Sequence, residues 1–200
     1  MIDIGGGKGA YADALRNEGF DVTLAEVNPD CLAAAAVRGI PVLDMRTMDW
    51  EHLRNAYDTA LLVEVLEHVQ DYRPFLAGAL ACARKRLLMT LPANDEFDKL
   101  FPLGLTFNHI AVSDHVNQFT SVEIATLLSE LGYTANIRLG SHLFPDPIIA
   151  LLQNELWNTW RGKLALLSLK VFHSRGWLPK LFPSRMFVEV RLERSGRDGG

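Results

Sequence analysis

The sequence predicts an α/β fold: a doubly wound, mostly parallel sheet of seven strands, with a helical insertion before the last strand. Three observations carry this. Apolar runs alternate with helix-like segments through the first two-thirds of the chain, and continuous apolar strands separated by helices are what a sheet covered on both faces requires. A glycine-rich turn, Gly5-Gly6-Gly7-Lys8-Gly9, sits where the first strand hands over to the first helix. A basic, aromatic stretch over 145–184 then breaks the rhythm between two strand-like runs. At 200 residues the chain is long enough for one domain with a real core, expected over 1–194, with 195–200 as a disordered tail.

The elements follow in order. Residues 1–4 form a short apolar strand, and the glycine turn leads into a helix over 10–17 that Gly19 stops. Residues 21–27 are β-rich. Asn28-Pro29 then supplies an N-cap and a proline at the first turn of a helix that runs through the alanines to Gly39. A third strand is expected at 41–44 and a short helix at 49–56. Residues 59–65, nearly all apolar, read as a buried central strand. Asp71 is the expected cap of a helix over 72–84, and 86–91 is the next buried strand, ended by Pro92. Thr120-Ser121-Val122-Glu123 is a capping box for a helix closing at Gly132. The last two strands are expected at 135–139 and 186–194.

Composition excludes several classes. Twenty basic against 24 acidic residues give a net charge of −4, which argues against general nucleic-acid binding. Cys31 and Cys82, each inside an expected helix, make neither a disulfide framework nor a zinc ligand set, so a reducing compartment is expected. No apolar run approaches the ~18 residues of a membrane span, and the N-terminus enters a strand without a signal-like segment. The expectation is a cytoplasmic location, with peripheral membrane association open.

The glycine turn brings backbone close to a ligand and places a helix N-terminus beneath it. Glu26, at the end of the second strand, is positioned to accept hydrogen bonds from both hydroxyls of a ribose. These features alone leave two nucleotide cofactors open, because Gly5-x-Gly7-x-x-Ala10 with an acid about 20 residues on also satisfies a relaxed NAD fingerprint.

Four further stretches favour one of them. They are Asp3-x-Gly5-x-Gly7-x-Gly9, Asp44 at the end of the third strand, residues 57–69 with Glu64-Val65-Leu66-Glu67-His68, and residues 114–120 with His115. In this order they resemble the class I S-adenosylmethionine-dependent methyltransferases, which have a Rossmann-like sheet, and the ubiquinone-pathway O-methyltransferase-like group in particular. The resemblance covers about residues 1–133 and the last two strands. It implies S-adenosyl-L-methionine as cofactor. Asp3 would help hold the amino group of the methionine part, Gly5, Gly7 and Gly9 would bring backbone against the cofactor, Glu26 would lie at the ribose, Asp44 at the adenine amino group, and Glu64 at the end of the fourth strand would also bind the cofactor. The Glu-x-x-Glu-His pattern is also similar to the metal-binding stretch of that group and of enzymes that methylate 3′-terminal RNA riboses. It would make Glu64, Glu67 and His68 ligands of Mg²⁺. The competing reading is that Glu67 and His68 only orient a loop. His115 and His68 are the candidate catalytic residues, and His109 lies in the same loop as His115. Members of the family usually carry a helix or arm before the first strand; the expectation is a cofactor more exposed than usual.

The function implied is O-methylation of a small-molecule acceptor. The alternatives are a nicotinamide-dependent oxidoreductase and a non-catalytic S-adenosylmethionine-binding protein. The acceptor and the oligomeric state are not legible. In the insertion, Ile149, Leu152, Leu156, Trp160, Leu164, Leu167 and Val171 recur every three or four residues, one apolar stripe if a single helix continues through them. Six basic residues and no acid lie between Arg161 and Arg185, and Trp157, Trp160 and Trp177 sit in or beside the stretch. That composition suits a lid packed on the sheet, or a helix meeting a membrane surface or a lipid-like substrate.

Overall fold

Five strands run parallel in the order β3-β2-β1-β4-β5, and two more extend the sheet antiparallel as β9 and then β7. They are β1 (Ile2–Ile4), β2 (Thr23–Glu26), β3 (Val42–Asp44), β4 (Tyr57–Val63), β5 (Ala83–Pro92), β7 (Ala135–Gly140) and β9 (Arg185–Arg191). The computed structural model describes residues 1–140, 148–150, 158–175 and 182–192. Helices α1 (Ala10–Asn17), α2 (Pro29–Val37), α3 (Tyr72–Cys82) and α5 (Ser121–Glu130) cover the sheet. Leu24 belongs to one apolar cluster, with Ala12 of α1 and Ala35 of α2; its neighbour Ala25 belongs to the other, with Leu76 of α3 and Leu127 of α5. Alternate residues of a strand face opposite ways, so helices pack on both faces and the sheet is doubly wound.

Local chemistry accounts for most element ends. Gly19, at φ 88°, closes α1 as the Phe20 N–H donates back to Leu15. Asn28 accepts from the N–H groups of Asp30 and Cys31 at the start of α2. Thr120 and Glu123 form the full reciprocal box at the start of α5.

Four expectations differ. Residues 49–56 form no helix: Leu53, Arg54 and Ala56 donate to carbonyls three residues back, and Asn55 turns to a left-handed φ of 54° to reach the Ala81 carbonyl. Asp71 precedes α3 but makes no side-chain cap hydrogen bond. Helix α3 stops at Cys82 because Ala83 already pairs with β4. The insertion is not one helix. Ile148–Ala150 is a strand, β8, paired antiparallel with β6 (Leu105–Phe107), so Ile149 cannot belong to a helical stripe. A single helical turn, α4 (Phe97–Leu100), precedes this pair, and a 15-residue helix, α6 (Trp160–Ser174), follows it. The inner face of α6 presents Leu166 and Leu169 to a separate small core of Leu100, Leu105, Phe107 and Ile148. Leu152, Leu156, Trp157, Trp177, Lys180 and the tail 195–200 lie outside the described residues.

Candidate active site

The parallel strands all end on one edge of the sheet, and there a cleft of about 490 Å³ opens between the ends of β1, β2 and β4. Its lining includes Gly5, Glu26, Met45, Trp50, Glu64, Val65, His68 and Phe75. Small-molecule sites span roughly 300–1,000 Å³, so the volume suits a nucleotide-sized ligand.

The glycine loop forms the floor. Gly5, Gly7 and Gly9 all have positive φ. Gly6 was not among the expected site positions, yet it is the tightest: a Cβ there would lie 2.3 Å from Asp3 Oδ2. Gly7 faces open space and its N–H donates to Glu26 Oε2 at 2.8 Å. Glu26 Oε1 accepts from the N–H groups of Val27 and Asn28 at 2.7 and 3.0 Å. Three backbone donors thus fix this carboxylate at the wall of the cleft, the geometry that gives strong, charge-assisted hydrogen bonds.

The other two acids of this region are placed differently. Asp3 lies fully buried beneath the loop, and neither of its oxygens has a well-formed hydrogen bond. Burial pushes its carboxyl up to about 6, the Ala12 backbone pulling it partly back and Glu26 adding to the rise. Asp44 ends β3 but is turned to Arg46, with Nε at 2.9 Å from Oδ1 and Nη2 at 2.5 Å from Oδ2. Those hydrogen bonds hold its carboxyl down at about 2. It is Met45 that lines the cleft there.

At the end of β4, Glu64 adopts a left-handed φ of 54°. Its Oε1 accepts from Thr90 at 3.0 Å and its Oε2 lies 2.9 Å from Arg185 Nε. Glu64 is therefore committed to an ion pair across the sheet. The acid and imidazoles that converge are Glu67, His68 and His115, whose nearest ligand atoms all lie within 4.8 Å of one another. The expected ligand set of Glu64, Glu67 and His68 is corrected accordingly: Arg185 and Thr90 hold Glu64, and His115 stands in its place. Glu67 is buried with no well-formed hydrogen bond at either oxygen. Burial pushes its carboxyl up to about 8; its own backbone N–H draws it down and the Glu64 carboxylate adds to the rise. Burial therefore favours its protonated form.

The two histidine rings meet edge to face, 4.7 Å between centroids. The Asp114 carbonyl lies 3.0 Å from His68 Nδ1. A carbonyl only accepts, so in the neutral ring Nδ1 carries the proton and Nε2 is the basic atom. Burial, and then His68, lower the pKa of His115, so its ring is neutral at pH 7. Asn117 ties this loop to the end of β4: its backbone N–H donates to Glu67 O at 3.0 Å and its side chain to Val69 O at 2.7 Å. His109 is not one of the three convergent groups, though its backbone and charge act on His115. It is buried, stacked on Phe107, with Nε2 2.9 Å from Asn94 Oδ1.

Sequence reasoning missed Trp50, Phe75, Arg185 and Asn117. One signal was present for Trp50. Gly78 sits mid-helix in α3, and a Cβ there would lie 2.5 Å from the Trp50 ring, so the helix carries no side chain where the indole packs. Trp50 in turn meets Phe75 edge to face at 5.7 Å.

Residues 1–137 match a family described as a methyltransferase domain. Over 87 residues the chain is 36% identical to the ubiquinone biosynthesis O-methyltransferase of Paramagnetospirillum magneticum (strain ATCC 700264 / AMB-1), a match that spans 40% of this chain and 34% of that relative. Its fold is similar to that of a SAM-dependent methyltransferase from Archaeoglobus fulgidus, at 16% identity and a TM-score of 0.61, over 95% of this chain and 84% of the other. It is also similar to magnesium protoporphyrin IX methyltransferase from Synechocystis PCC 6803 with bound SAH, at 14% identity and a TM-score of 0.59, over 96% and 73% of the two chains. The chain belongs to the methyltransferase-domain family.

Proposed function

We propose, with that membership as premise, that the protein transfers a methyl group from S-adenosyl-L-methionine to an oxygen of a small-molecule acceptor. The observation that carries the reading is Glu26, an acid pinned by three backbone N–H groups beside the glycine loop, at the wall of a nucleotide-sized cleft. The residues fit the nucleotide. Glu26 Oε2, which accepts from Gly7 alone, keeps a lone-pair site for a ribose hydroxyl, and Met45, Trp50 and Phe75 offer apolar walls for a flat base. The name of the ubiquinone relative supports oxygen as the accepting atom.

When bound, S-adenosyl-L-methionine supplies an already activated sulfonium methyl, so the chain's task is placement and proton removal. His115 is the candidate base. Its imidazole is neutral at pH 7 for the reasons given, and it stands beside His68 at the rim of the cleft. His115 would take the proton of the acceptor hydroxyl as that oxygen is methylated. His68, held by the Asp114 carbonyl, positions His115 through the ring contact.

Mg²⁺ does not fit the residues present. It prefers oxygen ligands in an octahedron, whereas the convergent set offers a single carboxyl beside two imidazoles. No step is derived through it.

Calorimetry tests the reading. S-Adenosylmethionine and S-adenosylhomocysteine should both bind, NAD should not, and Glu26→Ala should weaken the nucleotide by about 1–3 kcal/mol. Binding of NAD with no response to either sulfur nucleotide would overturn it in favour of a nicotinamide-dependent enzyme.

A further inference from the structure

We propose that the outer face of α6 docks on an anionic phospholipid bilayer. The helix has two apolar faces, and among the described residues only one is packed. Leu166 and Leu169 pack on the small core around Phe107, and Gly162 is buried at the same face. On the other side Trp160, Leu164, Leu167 and Val171 remain 71%, 57%, 57% and 42% exposed. At 3.6 residues per turn these four fall within a strip about 60° wide along the helix. The strip is rimmed by cations. Lys163 and Lys170 lie along one margin, and Arg161 and Arg175 along the other, with no acid anywhere in 158–175. The Arg161 guanidinium lies 5.2 Å from the centre of the Trp160 ring.

A helix turned only to water would carry polar residues along that strip. An apolar centre with tryptophan and basic margins is the pattern of a helix lying in a headgroup layer, where the apolar strip enters the acyl boundary and the long cationic side chains reach the phosphates. The charge selects the occupant. Four cations concentrate on one helix of a chain whose net charge is −4, so an anionic surface is attracted to this face against the charge of the whole. A second copy of the chain, docked through the same face about a two-fold axis, would bring these cations against one another. No described helix is long and apolar enough to cross a membrane, so attachment is in-plane. The appendage carrying α6 is joined to the sheet beside the candidate active site, through Phe107 stacked on His109 and His109 bound to Asn94 just beyond β5. This inference is independent of the proposed chemistry.

The test is co-sedimentation of the chain with vesicles of phosphatidylglycerol and phosphatidylcholine, beside vesicles of phosphatidylcholine alone. Binding to the anionic vesicles that weakens with salt is expected. Leu164→Glu with Leu167→Glu, and separately Lys163→Glu with Lys170→Glu, should each weaken it about tenfold or more, with unchanged circular dichroism because all four side chains lie outside the cores. Failure to sediment with anionic vesicles at low salt overturns the proposal, as does undiminished sedimentation of both double variants. A concentration-dependent dimer in sedimentation velocity that the leucine variants abolish also overturns it, and names a second copy as the occupant.

Discussion

The first 92 residues and the remainder of the chain solve the same problem, covering apolar surface, by opposite means. Within the first part strands pair only in parallel, and successive strands are joined through helices or turns that pack back on them. In the second, pairing is antiparallel and long-range. β6 finds its partner in β8, with Thr106 opposite Ile149, and β9 inserts between β5 and β7. The first part draws its polar precision from backbone, as at Glu26. The second leaves an apolar helix face in water. The difference suggests that the nucleotide end of the molecule is fixed by the sheet, and that the appendage is a smaller unit with its own core.

That contrast is open to a direct test with the largest expected effects. Leu62 is fully buried in the main core and Phe107 in the appendage core. Truncating either to alanine should cost about 2–5 kcal/mol for the leucine and about 3–5 kcal/mol for the phenylalanine. Leu62→Ala should lower global stability by its full cost. Phe107→Ala should instead spend most of its cost on local opening, so that amide exchange accelerates in 105–107 and 160–174 while β1, β4 and β5 stay protected. Equal loss of protection in both regions would show one cooperative unit and remove the distinction.

Asp3 sharpens the comparison from the side of the first part. Its folded carboxyl titrates at about 6 against 3.8 for the ordinary group. Between those values the unfolded chain has lost the proton and the folded chain still holds it, so stability falls as pH rises through that window. The whole fall amounts to about 3 kcal/mol, complete above pH 6 and absent below pH 3.8. Denaturant titrations across pH 3.5–7.5 should show this slope on top of the other groups' contributions, and Asp3→Asn should remove it. A variant with the wild-type pH profile would mean that the carboxyl is better solvated than its burial implies.

Much of the first part was legible because its signals are local. Asn28-Pro29, Gly19 and the Asp3-to-Gly9 loop each act within a few residues, and each lies where the sequence placed it. The failures there are also local. The turns at 49–56 have helical composition, but Asn55 is drawn out of the helix by the Ala81 carbonyl. The appendage was misread for a different reason. The residues of β8 recur at helical spacing with those after them, and only β6, some 40 residues earlier, makes them a strand. At the candidate site, residue types were legible and partners were not: nothing near Glu64 in sequence announces Arg185. Gly78 offers a test of the one missed signal that was present. Glycine to alanine in a helix interior ordinarily stabilises by about 1 kcal/mol, but here the added Cβ meets the Trp50 ring at 2.5 Å. Gly78→Ala should destabilise by about 1–3 kcal/mol, and it should weaken nucleotide binding by displacing a wall of the cleft. A gain in stability would show that the indole can move aside freely.

The smallest effect concerns two helix starts, one on each side of the divide, that look alike in sequence and differ in structure. Asp71 before α3 and Thr120 before α5 are both ordinary N-cap residues. Thr120 accepts from the Glu123 N–H while Glu123 reaches back to the Thr120 N–H at 2.7 Å, and both orphan donors are satisfied. Asp71 has the position without the bond: its φ and ψ of −96° and 62° depart from the extended geometry of a working cap, and its side chain accepts from no helix N–H. Thr120→Ala should therefore cost about 1 kcal/mol. Asp71→Ala should change stability by no more than about 0.5 kcal/mol, the range of surface substitutions away from such features. Urea midpoints of the two variants, measured side by side at constant m-value, resolve this difference. Equal losses would mean that Asp71 caps α3 in solution, and that at this point the first part obeys its local rules more strictly than its geometry shows.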